Sequence, residues 1–156
     1  MVAERQAVLA KIEQSEKPSP PFDLERVVLG VRDGVAPDPL PPVRIFLGTE
    51  TAQRRAERIF VWAIEQVRDP SRVYEITLMK QLPGFDQQRW LTGFTNYRFA
   101  IPELARRSGL AIYNDVDQIY LTDPAAFIDL PMDGHCYLSI SDLDTSEMLI
   151  DCELME

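Results

Sequence analysis

Two carboxylates lie two positions apart at the end of an apolar run, as Asp115 and Asp117. Because side chains alternate between the two sides of a β-strand, both carboxylates can point to the same side of the chain. Like charges held so close repel each other, and a bound cation would relieve that repulsion. Carboxylate oxygens are hard ligands that favour Mg²⁺ or Mn²⁺. The pair therefore predicts a divalent metal site at the end of a strand.

An ordinary pair of turn acids is the alternative interpretation of these two residues. Acids in turns usually have glycine, asparagine or serine nearby. Here Val116 separates the two acids, and an apolar run follows them from Ile119. This setting favours a buried, ligand-binding arrangement.

The strand and helix patterns before the pair predict an α/β sheet. Residues 43–48 and 73–79 are strand-like, and residues 49–68 between them have the apolar spacing of a helix with Thr49 or Thr51 as its N-cap. A second helix is expected at residues 99–108, followed by a strand at 110–114. This order of elements is typical of a sheet built from right-handed crossovers.

Ligands bind beyond the carboxyl ends of the strands in such sheets. Gly48 and Thr49 follow one predicted strand, and Asp115 and Asp117 follow another. The two ends are therefore expected to face one crevice. Downstream, Asp123 and Pro124 predict the start of a short helix, and residues 135–140 and 148–152 are two more predicted strands.

The N-terminal part of the chain differs from the rest in its content of polar residues and prolines. Residues 1–16 resemble a short polar helix, and seven of the twelve prolines lie in residues 17–42. Prolines at this density predict an irregular arm rather than a regular element. We therefore divide the chain into an arm at residues 1–42 and a domain at residues 43–156.

Composition and charge limit the possible partners. The chain has 156 residues and a net charge of −9, and residues 110–156 carry eleven acids and no base, so residues 1–109 carry +2. This distribution argues against nucleic-acid binding through a basic surface. No run approaches the roughly 18–20 apolar residues of a membrane span, and no secretory signal begins the chain. The two cysteines lack metal-type spacing and are expected to be reduced thiols of a cytoplasmic protein.

Two stretches resemble a known enzyme family. Residues 97–104 combine an aromatic–arginine pair with Pro-Glu-Leu, and residues 111–123 form an apolar strand that ends in Asp-x-Asp and continues with an apolar pair. Both are similar to family 8 type glycosyltransferases of GT-A fold, and weaker similarity extends over residues 43–152. The resemblance implies a Rossmann-like, nucleotide-diphospho-sugar transferase sheet with flanking helices.

The resemblance also implies a donor, a metal and site residues. The expected donor is a nucleotide-diphospho-sugar, in the first place a UDP-sugar, with Mn²⁺ or Mg²⁺; the acceptor is unknown. Asp117 would bind the metal, and Asp115 the metal and the ribose. Thr49 would lie near the nucleoside base, the backbone of Val116 against the ribose, and Arg98 near the donor. A surface ion pair with Glu103 or Asp86 is the alternative for Arg98.

The segment before the last strand departs from the family pattern. Asp144 and the two residues after it stand where the family has Asn-Ala-Gly or Asn-Ser-Gly, so Asp144 is expected to accept hydrogen bonds from donor-sugar hydroxyls, unless it is an ordinary turn acid. The third metal ligand of the family is a distant histidine, whereas His135 fits a structural role better. No catalytic residue can be named, and the chain resembles a C-terminally truncated family member.

Two other functions stay open. The first is a donor-binding unit without turnover, because the third metal ligand and the acceptor-binding half have no counterpart in the sequence. The second is a haloacid dehalogenase-like phosphatase, a class that also places Asp-x-Asp after an apolar strand. In that class the motif usually lies on the first strand, whereas Asp115 follows two earlier ones.

Overall fold

A six-stranded mixed sheet forms the centre of the computed structural model, which describes residues 24–85 and 94–155. The strands lie in the order β1-β3-β2-β4-β6-β5. Their bounds are β1 Arg26–Leu29, β2 Val43–Gly48, β3 Tyr74–Met79, β4 Leu110–Asp115, β5 Tyr137–Ser141 and β6 Asp144–Asp151.

The helices cover both faces of this sheet. A 3₁₀ turn at Thr51–Gln53 leads into α1 at Arg54–Val67, and a second 3₁₀ segment at Tyr97–Ala100 leads into α2 at Ile101–Leu104. Helix α3 is Ala125–Ile128. Within residues 24–85 and 94–155, no helix combines the length and the apolar character that crossing a membrane requires.

The middle of the sheet is parallel and its edges are antiparallel. Strand β2 pairs in parallel with β3 on one side and with β4 on the other. Strands β1 and β6 run antiparallel to β3 and β4, and β5 runs antiparallel to β6. Strands buried on both faces are expected to be largely apolar, and β2 and β3 are mostly so, with the half-buried Arg44 and Glu75 near their starts as exceptions. The prediction of an α/β sheet with flanking helices is therefore confirmed.

One packed cluster lies on each face of the sheet. On the first face, the ring of Phe60 in α1 meets the ring of Tyr120 edge-on at 5.8 Å, and Tyr120 meets Phe127 of α3 at 6.2 Å. On the second face, Tyr97 and Ile101 pack against Tyr113 of β4 and its neighbours. Through Tyr113, the second cluster extends to the end of β4.

The prediction of an irregular arm was wrong for one short piece. Strand β1 lies among the prolines, and Arg26 faces Thr77 of β3 at the edge of the sheet. The prolines stand outside its four residues, where they remove no ladder hydrogen bond. The division of the chain at Val43 stays a prediction, and the helix predicted at residues 1–16 lies outside the described residues.

The two predicted helices begin or end differently. Glu50, rather than Thr49 or Thr51, caps the turn before α1. Its N–H donates to Oε1 of Gln53 at 2.8 Å. The second helix ends at Leu104 instead of residue 108. Beyond it, Arg106 and Arg107 adopt φ of +58° and +51°, a left-handed conformation that stops a helix.

The guanidinium of Arg44 stabilises this early end. Its Nη1 donates to the carbonyl oxygen of Ala105 at 3.2 Å, and its Nη2 donates to that of Leu110 at 2.8 Å. Carbonyls at the end of a helix need such partners. A long-range contact from β2 therefore replaces the last turn that the local sequence predicts.

The C-terminal hairpin is longer than predicted. Strand β6 begins at Asp144 rather than at residue 148, and the tight turn before it is formed by Asp142 and Leu143. Asp144 is therefore the first residue of a strand. The predicted start of α3 is close to the observed one, since Oδ1 of Asp123 accepts from the N–H of Ala125 at 2.8 Å.

Candidate functional site

The carboxyl ends of the parallel strands meet at one edge of the sheet. Gly48 of β2 is paired with Asp115 of β4, and the N–H of Val116 donates to the carbonyl oxygen of Gly48 at 3.1 Å. The N–H of Thr49 donates to the carbonyl oxygen of Met79 at the end of β3. We call this edge, at Gly48, Thr49 and Asp115, the crevice. The structure thus brings together the two strand ends that the sequence pointed to.

Asp115 is a half-buried carboxylate at the end of β4, with a side chain 23% exposed. Its Oδ1 accepts a hydrogen bond from the Tyr113 hydroxyl at 2.5 Å and lies 3.8 Å from Nη2 of Arg98. Burial raises the pKa of Asp115, and the charges of Asp117 and Asp144 raise it further, against the opposing effects of Tyr113 and Arg98. Negative charge is therefore concentrated here and only partly compensated.

Tyr113 is a buried hydrogen-bond donor beneath this carboxylate. Its ring lies 4.6 Å from the guanidinium carbon of Arg98, and burial together with the charge of Asp115 raises the pKa of its hydroxyl. The hydroxyl consequently stays protonated and donates to Asp115 across the physiological range. Gly48 makes room for it, because a Cβ there would lie 2.4 Å from the Tyr113 oxygen.

Asp117 lies in a turn rather than on the strand. The N–H of Gln118 donates to the carbonyl oxygen of Asp115 at 3.3 Å, and Asp117 is exposed within this turn. The alternation expected from a strand therefore ends at Asp115. The two carboxylates still interact, since the charge of Asp117 raises the pKa of Asp115. The side chain of Val116 packs in the core and leaves its backbone at the crevice.

Arg98 is buried and makes contacts to three segments of the chain. Its Nε donates to the carbonyl oxygen of Thr95 at 2.8 Å, and its Nη1 donates to both the carbonyl oxygen and the hydroxyl of Thr145. Glu103, one surface partner considered from the sequence, instead accepts from Arg107 at 2.6 Å. The interpretation of Arg98 as a surface cation paired with Glu103 is therefore wrong, and Asp86, the other partner considered, lies outside the described residues.

Asp144 faces the crevice from the start of β6. It is exposed, and its Oδ1 accepts from the hydroxyl of Ser146 at 2.6 Å and from the N–H of Ser146 at 3.1 Å. The Ser146 hydroxyl holds the pKa of Asp144 below its usual value, and Arg98 lowers it further. Asp144 is therefore a charged acceptor beside Asp115.

A chain of polar side chains that the sequence analysis missed supports this edge. Tyr120 donates its hydroxyl to Asn114 at 2.7 Å, Asn114 donates to Gln118 at 3.0 Å, and Gln118 donates to Ser146 at 2.9 Å. The sequence contains one sign of these polar contacts, which is Asn114. An amide buried within an apolar strand needs hydrogen-bond partners nearby.

Thr49 is buried at the junction of β2 and α1. Its hydroxyl donates to Oε1 of Glu57 at 2.9 Å, and Glu57 in turn pairs with Lys80 at 3.2 Å. The hydroxyl is thus already bonded within the protein. The whole residue is only 1% exposed, and the predicted contact of Thr49 with a nucleoside base stays a prediction.

The acidic residues fit a divalent cation that shares its ligands with a bound molecule. Within the described part of the chain, no three histidine, cysteine, aspartate or glutamate side chains are grouped to hold a metal ion. Asp115 and Asp117 supply hard oxygen ligands, and a cation would offset both the burial of Asp115 and the neighbouring charges that together raise its pKa. His135 lies in the exposed turn before β5. The remaining ligands would be oxygens of the bound molecule or of water.

Comparison with known proteins shows the fold. No family model and no curated protein matches the chain. A solved structure of the WbbM bifunctional glycosyltransferase in its apo form is similar, with a TM-score of 0.62 and 13% identity. The match covers 77% of this chain and 33% of the other, so this chain spans about a third of that protein's length. The six-stranded sheet with its helices therefore shares its fold with part of that protein.

Proposed function

We propose that this chain binds a nucleotide-diphospho-sugar through a divalent cation and transfers the sugar to an acceptor, as a glycosyltransferase of the family 8 type. The observation that carries the proposal is Asp115, half-buried at the end of β4 beside the carboxylates of Asp117 and Asp144, with Arg98 as the nearest cation. The fold and the Asp-x-Asp resemblance support the same function. A UDP-sugar is the donor that the resemblance favours.

The protein's own side chains have distinct roles in this proposal. Asp115 and Asp117 would hold Mn²⁺ or Mg²⁺, which when bound acts as a Lewis acid on diphosphate oxygens. Tyr113 and Arg98 both contact Oδ1 of Asp115, which favours Oδ2 as the oxygen that faces the ligand. The nucleoside would lie over the ends of β2 and β4, which the buried residues Thr49 and Val116 follow.

The polar groups opposite β4 would orient the sugar and the leaving group. Asp144 is charged and exposed, so it would accept hydrogen bonds from sugar hydroxyls. The diphosphate gains negative charge as the sugar–phosphate bond breaks. The positive charge of Arg98, held in a largely buried position, would stabilise that charge electrostatically.

Turnover by the isolated chain tests this proposal. The chain would be incubated with Mn²⁺ and each of several UDP-sugars, and release of UDP would be measured beside Asp115→Asn. We expect release from at least one UDP-sugar by the wild type and a loss of about 100-fold or more in the variant. Binding without release would favour the donor-binding unit.

The same preparation tests the phosphatase alternative. Hydrolysis of a simple phosphate ester, without any dependence on a nucleotide, would contradict the transferase proposal. The structure places Asp115 on β4, the fourth strand in chain order, rather than on the first.

A further inference from the structure

We propose that Arg98 is a positioning residue, which holds the Asp115 end of β4 and the Asp144 end of β6 in one fixed arrangement. The two carboxylates belong to the same site, so the inference rests on the proposed function and deepens it. It replaces the expectation that Arg98 itself reaches the donor.

The contacts of the guanidinium group carry this inference. Nε donates to Thr95, Nη1 donates twice to Thr145, and Nη2 faces Oδ1 of Asp115 at 3.8 Å. The guanidinium carbon also lies 4.6 Å from the centre of the Tyr113 ring, within cation–π distance. Arginine presents a rigid fork of donors that can serve several partners at once. Two of its three nitrogens therefore donate hydrogen bonds within the protein, and the third forms an ion pair with Asp115.

The backbone ladder between β4 and β6 stops short of Asp144, which is paired instead with Ser141 of β5. The pairing of β4 with β6 runs from Leu110–Asp151 to Asn114–Glu147. Beyond that point, side chains connect the strands, through Arg98 to Thr145 and through Gln118 to Ser146. The β5–β6 hairpin holds Asp144 on one side, and these side chains are what connects it to β4 on the other.

The charges make a connection of this kind necessary. Asp115 and Asp144 carry like charges and lie close enough to repel each other. The guanidinium of Arg98 interacts favourably with both, and its side chain is only 8% exposed. Lysine would keep the charge but would present a single nitrogen on a flexible stem. Arg98→Lys therefore separates the charge of Arg98 from its bridging geometry.

Hydrogen exchange in the free protein tests the bridge without any ligand. The variants are Arg98→Lys and Thr145→Val, with Arg107→Lys as the matched control, because Arg107 is an exposed arginine paired with Glu103. We expect backbone amides at residues 144–147 to exchange about tenfold faster in the first two variants and at the wild-type rate in the control. Unchanged exchange in Thr145→Val would contradict the inference.

Binding of UDP in the presence of Mn²⁺ tests the effect on the site. We expect Arg98→Lys to weaken affinity about tenfold and Thr145→Val about fivefold, which corresponds to the loss of one hydrogen bond to a charged group. The double variant should be no weaker than Arg98→Lys alone, because both changes break the same bridge. Arg107→Lys should bind like the wild type.

Each other outcome has a distinct meaning. Weaker binding in Arg98→Lys with wild-type binding in Thr145→Val would mean that Arg98 contacts the donor directly, and the inference would be wrong. Faster exchange with unchanged affinity would also overturn it, because the bridge would then not position the site. If the wild type binds no UDP, the proposed function fails, whereas exchange still decides whether Arg98 holds β6 to β4.

Discussion

Gly48 and Tyr113 lie on neighbouring parallel strands so close together that a methyl group on Gly48 would be 2.4 Å from the Tyr113 hydroxyl oxygen. The same methyl group would lie 2.9 Å from the ring of Phe94. The hydroxyl in question donates to Asp115 at the end of β4. The glycine at the end of β2 therefore provides the space in which the candidate site is assembled.

Gly48→Ala should damage both stability and ligand binding. The added methyl group has to displace Tyr113 or Phe94, and overpacking of this kind costs about 1–3 kcal/mol in the free energy of unfolding. Displacement of the hydroxyl should also weaken Mn²⁺-dependent UDP binding about tenfold or more. Chemical denaturation and calorimetric titration measure the two effects.

Gly30→Ala is the matched control for this change. No atom lies within 4 Å of a Cβ at Gly30, and its backbone is not left-handed. Its free energy of unfolding should stay within about 0.5 kcal/mol of the wild type. Equal effects of the two substitutions would contradict the role assigned to Gly48.

Tyr113→Phe should weaken ligand binding with a smaller effect on folding. The ring and its packing remain, whereas the hydrogen bond to Asp115 is lost, so UDP affinity in Mn²⁺ should fall about fivefold to tenfold. Tyr137→Phe removes an exposed hydroxyl on β5 and serves as the control. Wild-type affinity in Tyr113→Phe would show that the hydroxyl does not hold Asp115 for the ligand.

The two substitutions should also interact. Removal of the hydroxyl takes away the closest of the atoms that a methyl group at Gly48 would meet. The double variant should therefore be more stable than the sum of the single changes predicts, by a coupling of about 0.5–3 kcal/mol. Strict additivity would mean that the clash is relieved elsewhere.

We expect the protein to lose stability in alkaline solution because the hydroxyl of Tyr74 is buried. Burial raises the pKa of its hydroxyl, and the hydrogen bond to Asp123 at 2.7 Å raises it further. The folded state therefore holds a proton that the unfolded chain releases near pH 10. This contribution is fully present below about pH 10 and is lost as the pH rises above it, by at most about 1.4 kcal/mol per pH unit.

Tyr74→Phe should reduce the slope of this loss. The free energy of unfolding would be measured between pH 8 and pH 11 for both proteins. The variant should be less stable at neutral pH, since Asp123 loses a partner, but it should depend less on pH above pH 10. The slope will not vanish, because burial also raises the pKa of Tyr120. Identical slopes would contradict this assignment.

The sequence predicted those parts of the fold that depend on local pattern. Strands β2 and β4 are largely apolar runs buried on both faces, so their composition indicates strands. The local pattern did not predict β1, because this edge strand has only four residues and lies between proline-rich stretches. The end of α2 depends on Arg44, which is distant in sequence and binds its terminal carbonyls.

The site was predictable only in part for the same reason. Asp115 was recognisable from its position after a strand, whereas the turn that removes Asp117 from the strand had no clear local signal. The roles of Tyr113 and Gly48 follow from contact between two strands that are 65 residues apart in their numbering. Such contacts are set by packing, which a single sequence does not reveal.

Calorimetric titration of UDP into the protein, with and without Mn²⁺, tests the central claim most directly. The wild type would be compared with Asp117→Asn and with Asp129→Asn, an equal charge change at an exposed acid outside the crevice. We predict binding that requires Mn²⁺ in the wild type and in Asp129→Asn, and an affinity at least about tenfold weaker in Asp117→Asn. No binding by the folded wild type, or binding that ignores both the metal and Asp117, would contradict the proposed nucleotide-sugar site.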